Sequence, residues 1–213
     1  MKKFTLSIVA VMAMSTLAIA GGDIAPVEPI VETPMVEEST GAFYLGLAYG
    51  AANLDMTDTS TEDPTNTFSD DFDYGTVMLQ AGYKFNPYIA VEGRYWIGLD
   101  EDIFADETLN IDTWGLYVKP MYPVTEAFDI YALLGYASSD MEVSWPGGSY
   151  EPSYDMDGFS WGIGGAYAFT ENLSVFVDYT SLYDDDNTYD DGGEIFKVDD
   201  EITSWNFGVT YTF

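Results

Sequence analysis

The chain carries 37 acidic side chains and 6 basic ones, with no histidine and no cysteine. Without histidine it has no His-assisted nucleophile, and without cysteine it has neither a disulfide nor a thiolate metal site. Paired carboxylates can hydrolyse glycosidic bonds, but among so many acids no single pair stands out. We therefore expect that the protein is not an enzyme. Its formal net charge of -31 also predicts that it does not bind nucleic acid.

Most of the acids lie in four links between predicted strands, at residues 51–72, 100–111, 139–157 and 184–201. The densest run, in the last link, is Asp184, Asp185, Asp186, Asp190 and Asp191. Clustered carboxylate oxygens are ligands of hard cations, so the run predicts at most weak binding of Ca²⁺ or Mg²⁺, and we expect no other cofactor. Its spacing differs from that of an EF-hand loop. The alternative is a solvated acidic surface without specific cation sites.

A second group of charges lies in the middle of the predicted strands, on the face opposite the large apolar residues: Lys84, Glu92, Arg94, Lys119 and Asp178. In a barrel whose apolar face points outward, these charges meet in the interior. Such a cluster is either a gated ion path or a plug of ion pairs that satisfies its own charges. We favour the plug, because the interior of an eight-stranded barrel is normally packed with side chains.

The first 40 residues predict export followed by an extended arm. Lys2 and Lys3 precede an apolar stretch that ends in the small-residue cleavage site Ala18-Ile19-Ala20, so residues 1–20 have the pattern of a signal peptide. The alternative, a transmembrane anchor, is disfavoured because the apolar stretch is short. Residues 21–40 contain three prolines and four glutamates without an apolar period, which predicts a disordered periplasmic arm.

From Gly41 onward the residues alternate with a period of two, which is typical of half-buried strands. Eight segments show this alternation: 43–50, 76–85, 89–97, 114–122, 128–137, 159–169, 175–180 and 205–213. In the fifth, Leu133 and Leu134 are both apolar, and we assign Ile130, Ala132, Leu134 and Tyr136 to the outward face. Each segment is close to the 9–11 residues or so of a tilted membrane strand.

The connections between these segments alternate in length. Tight turns at Asn86-Pro87, at residues 123–126 and at residues 170–172 separate the four long links. Short turns on one side and long loops on the other are typical of outer-membrane barrels. An even number of strands places both termini on the short-turn side, which is the periplasmic side.

A soluble barrel also alternates, but its apolar face points inward. With that orientation, Trp114, Trp161 and Trp205 would be exposed to water as part of a large apolar patch. The large aromatics instead form two belts, one near the short turns and one near the long links, as expected at the two membrane interfaces. We therefore predict an all-β fold over residues 41–213, an eight-stranded antiparallel up-and-down transmembrane β-barrel.

The last strand, Trp205-Asn-Phe-Gly-Val-Thr-Tyr-Thr-Phe213, alternates up to a terminal aromatic residue. It resembles the C-terminal strand by which the barrel-assembly machinery recognises outer-membrane proteins, and the resemblance implies that Val209, Tyr211 and Phe213 form this signal. Residues 41–213 as a whole resemble the OmpA/OmpX-type barrel domain of the porin family. The resemblance implies a Gram-negative outer membrane with lipid and lipopolysaccharide around the barrel. We expect no separate peptidoglycan-binding domain after the barrel.

Two functions are compatible with these features. The first is a structural or surface-interaction role in the cell envelope, with acidic extracellular loops and a packed polar interior. The alternative is a narrow, cation-preferring channel. We expect the first, and the sequence identifies no surface ligand.

Overall fold

The computed structural model describes residues 41–63, 65–99, 101–104, 107–151, 156–191 and 194–213. The predicted signal peptide and arm lie outside these residues, as do the loop acids Asp100, Asp106 and Asp155. In the described part of the chain, no helix is long and apolar enough to cross a membrane. The strands there are β1 (Ala42–Ser60), β2 (Thr67–Asn86), β3 (Ile89–Gly98), β4 (Glu101–Phe104), β5 (Glu107–Pro123), β6 (Phe128–Trp145), β7 (Gly148–Tyr150), β8 (Met156–Ala168), β9 (Leu173–Asp191) and β10 (Glu194–Thr212).

Eight of these strands close into a ring in the order β5-β3-β2-β1-β10-β9-β8-β6, with β6 paired back to β5. All pairs are antiparallel, and β10 pairs with β1 from Tyr44↔Thr212 to Ser60↔Phe196. The two short strands, β4 and β7, add to the margins of β5 and β6. The predicted eight-stranded antiparallel up-and-down barrel is therefore confirmed, with two short strands added at one end.

The other end of the barrel is closed by tight turns, and we call it the short-turn end. Polar side chains at these turns bond to the backbone two or three residues ahead, which favours a sharp reversal. Asn86 Oδ1 accepts from the Tyr88 amide at 2.8 Å, and the Thr125 and Thr170 hydroxyls each accept from an amide three residues on at 3.0 Å. The three predicted turns are confirmed.

The opposite end, which we call the hairpin end, differs from the prediction. Residues 51–72 and 184–201 were expected to be long loops, but β1 and β2 leave only residues 61–66 as a connection, and β9 continues to Asp191. The long-loop prediction is wrong because these residues still alternate, with their apolar side chains on the other face. The strands continue where the membrane-type pattern stops.

The apolar face of the sheet changes sides along each long strand. On β1, Leu45 and Leu47 point outward and are exposed, whereas Leu54 points inward and is fully buried, with Asp55 exposed beside it. On β10, Phe207 points outward, while Ile202 points inward and is buried. We call the part with an apolar exterior the lower section. The part with an apolar interior and an acidic exterior is the upper section.

A β-bulge lets β9 follow this inversion. On β10, Ile202 pairs with Tyr183, but the next residue, Thr203, pairs with Ser181. Leu182 is therefore an extra residue on β9. Because side chains alternate with a period of two, one extra residue exchanges the two faces of the strand. Leu182 and Tyr183 are consequently both buried in the upper section.

The lower section keeps the predicted side-chain directions. In the ambiguous fifth segment, Leu133 is fully buried and Leu134 is 48% exposed, which confirms the assignment of Leu134 to the outward face. Outward aromatic rings contact one another near the short turns, as in Phe43–Tyr83 with centroids 4.7 Å apart. A second set lies near the boundary with the upper section, where the Tyr179 and Trp205 rings are 5.3 Å apart. Two aromatic belts therefore border the apolar exterior.

Candidate functional site

Four of the five predicted interior charges meet inside the lower section. Arg94 Nε lies 2.6 Å from Glu92 Oε1, and an Arg94 terminal nitrogen lies 2.7 Å from Asp178 Oδ2. Lys119 Nζ lies 2.8 Å from Glu92 Oε2. All four residues are buried, and their two positive and two negative charges sum to zero. Arg94 contacts Asp178 through both terminal nitrogens, the bidentate geometry that fixes a guanidinium most firmly.

Lys84 does not join this cluster. It is paired in register with Ala90, at the same height as Lys119, near the short-turn end of β2, and it is only half-buried. The prediction of a five-residue cluster is wrong at this position. Glu92 already accepts from Arg94 and Lys119, so it is not available to Lys84. The lysine sits at the mouth of the barrel, where water can solvate its ammonium group.

Neutral side chains complete the buried network. Tyr44 donates to Glu92 Oε2 at 2.5 Å, Tyr131 donates to Asp178 Oδ2 at 2.7 Å, and Asn206 donates to Asp178 Oδ1 at 2.8 Å. Trp96 Nε1 in turn donates to Asn206 Oδ1 at 2.9 Å. The alternation in the sequence did not indicate that these residues belong to the site. The signal was present at Tyr44, a large polar residue among the small residues of the inward face.

Two glycines make room for these tyrosines. A Cβ at Gly82 would lie 2.3 Å from the Tyr44 ring, and one at Gly164 would lie 2.5 Å from Asp178 Cβ and 2.7 Å from the Tyr131 ring. The Tyr131 ring also packs under Lys119, whose Nζ is 4.0 Å from its centroid, a distance at which a cation and a ring attract. The network therefore depends on small residues next to it as well as on its charges.

Above this network the lumen holds apolar side chains together with small buried hydroxyl groups, such as those of Thr76 and Ser204. Met78, Trp96 and Leu133 are buried next to it, and Leu54, Ile111 and Ile202 are buried higher, in the upper section. An ion crossing the barrel would have to break the ion pairs and then leave water for an apolar layer. Chemically, the arrangement suits a plug better than a conduit.

The acids of the hairpin end lie largely on the outside of the upper section. Register pairs Asp71 with Asp55, Asp55 with Glu201, and Glu201 with Asp184, so four carboxylates form one row across β2, β1, β10 and β9. Desolvation and the neighbouring Asp71 raise the pKa of Asp55. Desolvation, Asp184 and Asp55 likewise raise the pKa of Glu201. Repulsion along this row is therefore relieved as the pH falls toward these raised values.

The predicted cation-binding run is divided between the two faces. Asp184 and Asp186 point outward, and the Asp186 carboxylate already lies 3.4 Å from Lys197 Nζ. Asp185 pairs in register with the buried Asp200, Asp190 is exposed, and the Asp191 side chain lies outside the described residues. In the part of the chain that is described, no group of three or more acids is arranged to hold a metal ion. Weak Ca²⁺ or Mg²⁺ binding by this run stays a prediction.

The three residues of the predicted assembly signal share the outward face of the last strand. Val209, Tyr211 and Phe213 are all exposed, and the Tyr211 and Phe213 rings are 5.0 Å apart. The Phe213 amide donates to the Phe43 carbonyl at 2.9 Å, so the chain end is paired with the first strand. Recognition by the barrel-assembly machinery is a further prediction for these residues.

Comparison with known proteins gives one family and several structures of similar fold. The family described as outer membrane protein beta-barrel domain matches residues 5–213. Among curated protein sequences, none matches the chain. Ail, the attachment invasion locus protein of Yersinia pestis, is 17% identical over 81% of this chain and 99% of its own, with a TM-score of 0.51.

Two further structures are similar to the same extent. Neisserial surface protein A is 14% identical over 82% of this chain and 100% of its own, with a TM-score of 0.57. OprG from Pseudomonas aeruginosa is 15% identical over 83% of this chain and 98% of its own, with a TM-score of 0.55. At these identities the likeness concerns the fold alone.

Proposed function

Because this chain belongs to the outer membrane protein beta-barrel domain family, and its charged residues satisfy one another inside the barrel, we propose that it has a structural and surface-interaction role. The protein is a Gram-negative outer-membrane barrel, so the apolar exterior of the lower section faces lipid and lipopolysaccharide. In this proposal the barrel anchors the chain, and the upper section presents an acidic surface outside the cell. The proposal includes no enzymatic activity, in keeping with a sequence that lacks His and Cys.

The buried network is the observation that carries the structural part of the proposal. Glu92, Arg94 and Asp178 are linked by contacts of 2.6 to 2.7 Å, and each is almost completely shielded from solvent. Because these opposite charges are in direct contact and shielded from solvent, they leave no free charge to attract an ion. This argues against the alternative, a narrow cation-preferring channel.

The upper section supports the surface-interaction part. On β1 the acidic exterior begins near Asn53 and the strand continues to Ser60. Eight residues at about 3.3 Å each, tilted by about 40°, would reach about 20 Å from the lipid surface. Within the described residues, β9 pairs with β8 only as far as Ser181 but continues along β10, so its exposed acids Asp184, Asp185 and Asp186 lie on an edge that β8 does not cover. Such an edge suits a basic, extended partner.

Planar-bilayer recording separates the two functions. If the buried network is a plug, the purified protein should add no conductance steps to the bilayer, because no continuous water path crosses the lumen. The control is a recording of a known porin in the same bilayer. Steps that favour K⁺ over Cl⁻ would instead support the channel.

The proposed orientation places both termini in the periplasm and the hairpin end outside the cell. Since the chain has no cysteine, single-cysteine variants can test this directly. In intact cells, a membrane-impermeant maleimide should label Asp55→Cys, which lies on the upper section. It should label Glu126→Cys, at an exposed short turn, only after the outer membrane is permeabilised. The reverse pattern would mean that the barrel is inserted the other way round.

A further inference from the structure

The apolar exterior of the lower section contains a groove. It has a volume of about 690 Å³ and is lined by residues of β5, β6, β8, β9 and β10. Its walls are exposed apolar side chains, those of Tyr122, Ile130, Ile163, Val177 and Trp205. Tyr131 and Asp178 also line it, but their side chains are buried because they turn to the lumen. Among the described residues that line the groove, none therefore presents a charged side chain to it.

Two small residues form the floor of the groove. Ala132 pairs in register with Ile163, and Gly165, two residues further along β8, pairs with Ile130. Ala132 and Gly165 are therefore diagonal neighbours on the outward face. Bulky residues border them, since Ile163 pairs in turn with Tyr179 and Gly165 with Val177. The hollow thus results from the placement of small residues among large ones.

The groove crosses most of the lower section. Tyr122, one residue before the end of β5, lies at its short-turn end. Tyr179 and Trp205, whose rings contact each other at the border with the upper section, lie at its other end. Because the strands are tilted, a row of register partners climbs from one aromatic belt to the other. The groove can therefore accommodate an extended chain.

The occupant that best matches this groove is a hydrocarbon chain. The groove is continuous with the apolar exterior, which in an outer-membrane barrel faces the hydrocarbon of the bilayer. Concave apolar sites are typical of ligand binding. A second copy of the barrel fits less well, because a twofold contact places the same patch against itself and two hollows would leave a void between them. A flexible acyl chain can follow the groove instead.

The short-turn end of the groove carries two acids. Glu126 lies in the turn between β5 and β6, Glu171 lies in the turn between β8 and β9, and both are exposed. The two turns are adjacent, since the Ala168 amide donates to the Ala127 carbonyl at 2.8 Å. Neither turn contains a lysine or an arginine. This end therefore favours a lipid with an ammonium headgroup over one whose headgroup is anionic.

We propose that this groove binds one acyl chain of phosphatidylethanolamine, a zwitterionic phospholipid with an ammonium headgroup. The chain lies over Ala132 and Gly165, and the ammonium group faces Glu126 and Glu171. Because the surrounding lipid is as apolar as the groove, the chain gains close packing against the protein rather than hydrophobic burial. The two acids select the headgroup, since they would repel the phosphates of an anionic lipid.

The test is native mass spectrometry of the folded protein in detergent micelles, after incubation with phosphatidylethanolamine and phosphatidylglycerol that carry the same saturated chains. The original protein should retain one lipid, mostly phosphatidylethanolamine. Gly165→Leu fills the groove and should weaken this binding at least about tenfold. Ala132→Leu should have the same effect, and it replaces Gly165→Leu if that variant fails to fold. Glu126→Gln combined with Glu171→Gln should retain a lipid but lose the preference for phosphatidylethanolamine.

Gly93→Leu is the matched control. Gly93 also points outward, in a smaller hollow of about 480 Å³, and a Cβ there would lie 3.9 Å from the Ala81 carbonyl oxygen, an ordinary contact. The turn that joins β2 to β3 below this hollow, Asn86-Pro87, contains no acid. Gly93→Leu should therefore retain the lipid as the original protein does. Two results would overturn the proposal: equal loss of lipid in Gly165→Leu and Gly93→Leu, or retention by the original protein without preference for phosphatidylethanolamine.

Discussion

Replacement of Glu92 by Ala should destabilise the folded barrel by about 3–5 kcal/mol, the usual cost of breaking a buried ion pair. Glu92 is fully buried and accepts hydrogen bonds from Arg94, Lys119 and Tyr44. Without it, the buried groups would carry two positive charges against one negative charge. The measurement is the free energy of unfolding by urea of the protein in lipid vesicles. The folded fraction is read from a gel, on which the folded, unboiled barrel migrates differently from the boiled protein.

Two further variants determine whether charge is the cause. Glu92→Gln combined with Lys119→Met restores a neutral interior, since Arg94 keeps its bidentate contact with Asp178. This double variant should recover most of the lost stability. Lys197→Met removes an ion pair on the exposed surface and should leave the free energy of unfolding almost unchanged. A double variant as unstable as Glu92→Ala would mean that packing, rather than charge balance, makes Glu92 important.

Phe213→Asp should reduce the amount of folded protein in the outer membrane at least about tenfold. Phe213 is the last outward aromatic residue, 70% exposed and in ring contact with Tyr211. The substitution places a charge at the lipid interface and removes the terminal aromatic of the strand that we expect the assembly machinery to recognise. The measurement is the quantity of heat-modifiable protein in isolated outer membranes.

Phe169→Asp is the matched control. Phe169 belongs to the same belt at the short-turn end and is 62% exposed, but it follows β8 rather than the last strand. A charge there meets the same lipid interface without altering the terminal strand, so its effect should be much smaller. Equal losses in the two variants would show that the interface charge, and not recognition of the terminal strand, limits assembly.

The sequence predicted the lower section well because a period of two is a local property. The alternation of Leu45 and Leu47 with small residues fixes the outward face without reference to any other strand. The same rule failed above Tyr49, since it assumed that apolar residues always point outward. Beyond the membrane boundary the solvent changes from lipid to water, so Leu54 and Ile202 turn inward and acids cover the exterior. The bulge at Leu182 shifted the alternation as well.

The candidate site was predictable only in part, for a similar reason. Local alternation placed Glu92, Arg94 and Asp178 on the inward face. It could not predict that Tyr44 contacts Glu92 or that Arg94 contacts Asp178. These partners are 48 and 84 residues apart in the sequence and meet only through the register of the closed ring. Lys84 shares the inward face and lies at the same height as Lys119, so alternation alone could not show that Lys119 is the lysine that pairs with Glu92.

The inversion between the two sections also fixes the bilayer thickness that this barrel fits. Along the last strand the outward apolar side chains extend from Trp205 to Phe213. Nine residues at about 3.3 Å each, tilted by about 40°, span about 23 Å, close to the apolar band of about 25 Å in other outer-membrane barrels. A thicker bilayer would draw the carboxylates of Asp55 and Glu201 toward hydrocarbon. Insertion should therefore be most efficient in vesicles of short-chain lipids and should decline as the acyl chains lengthen.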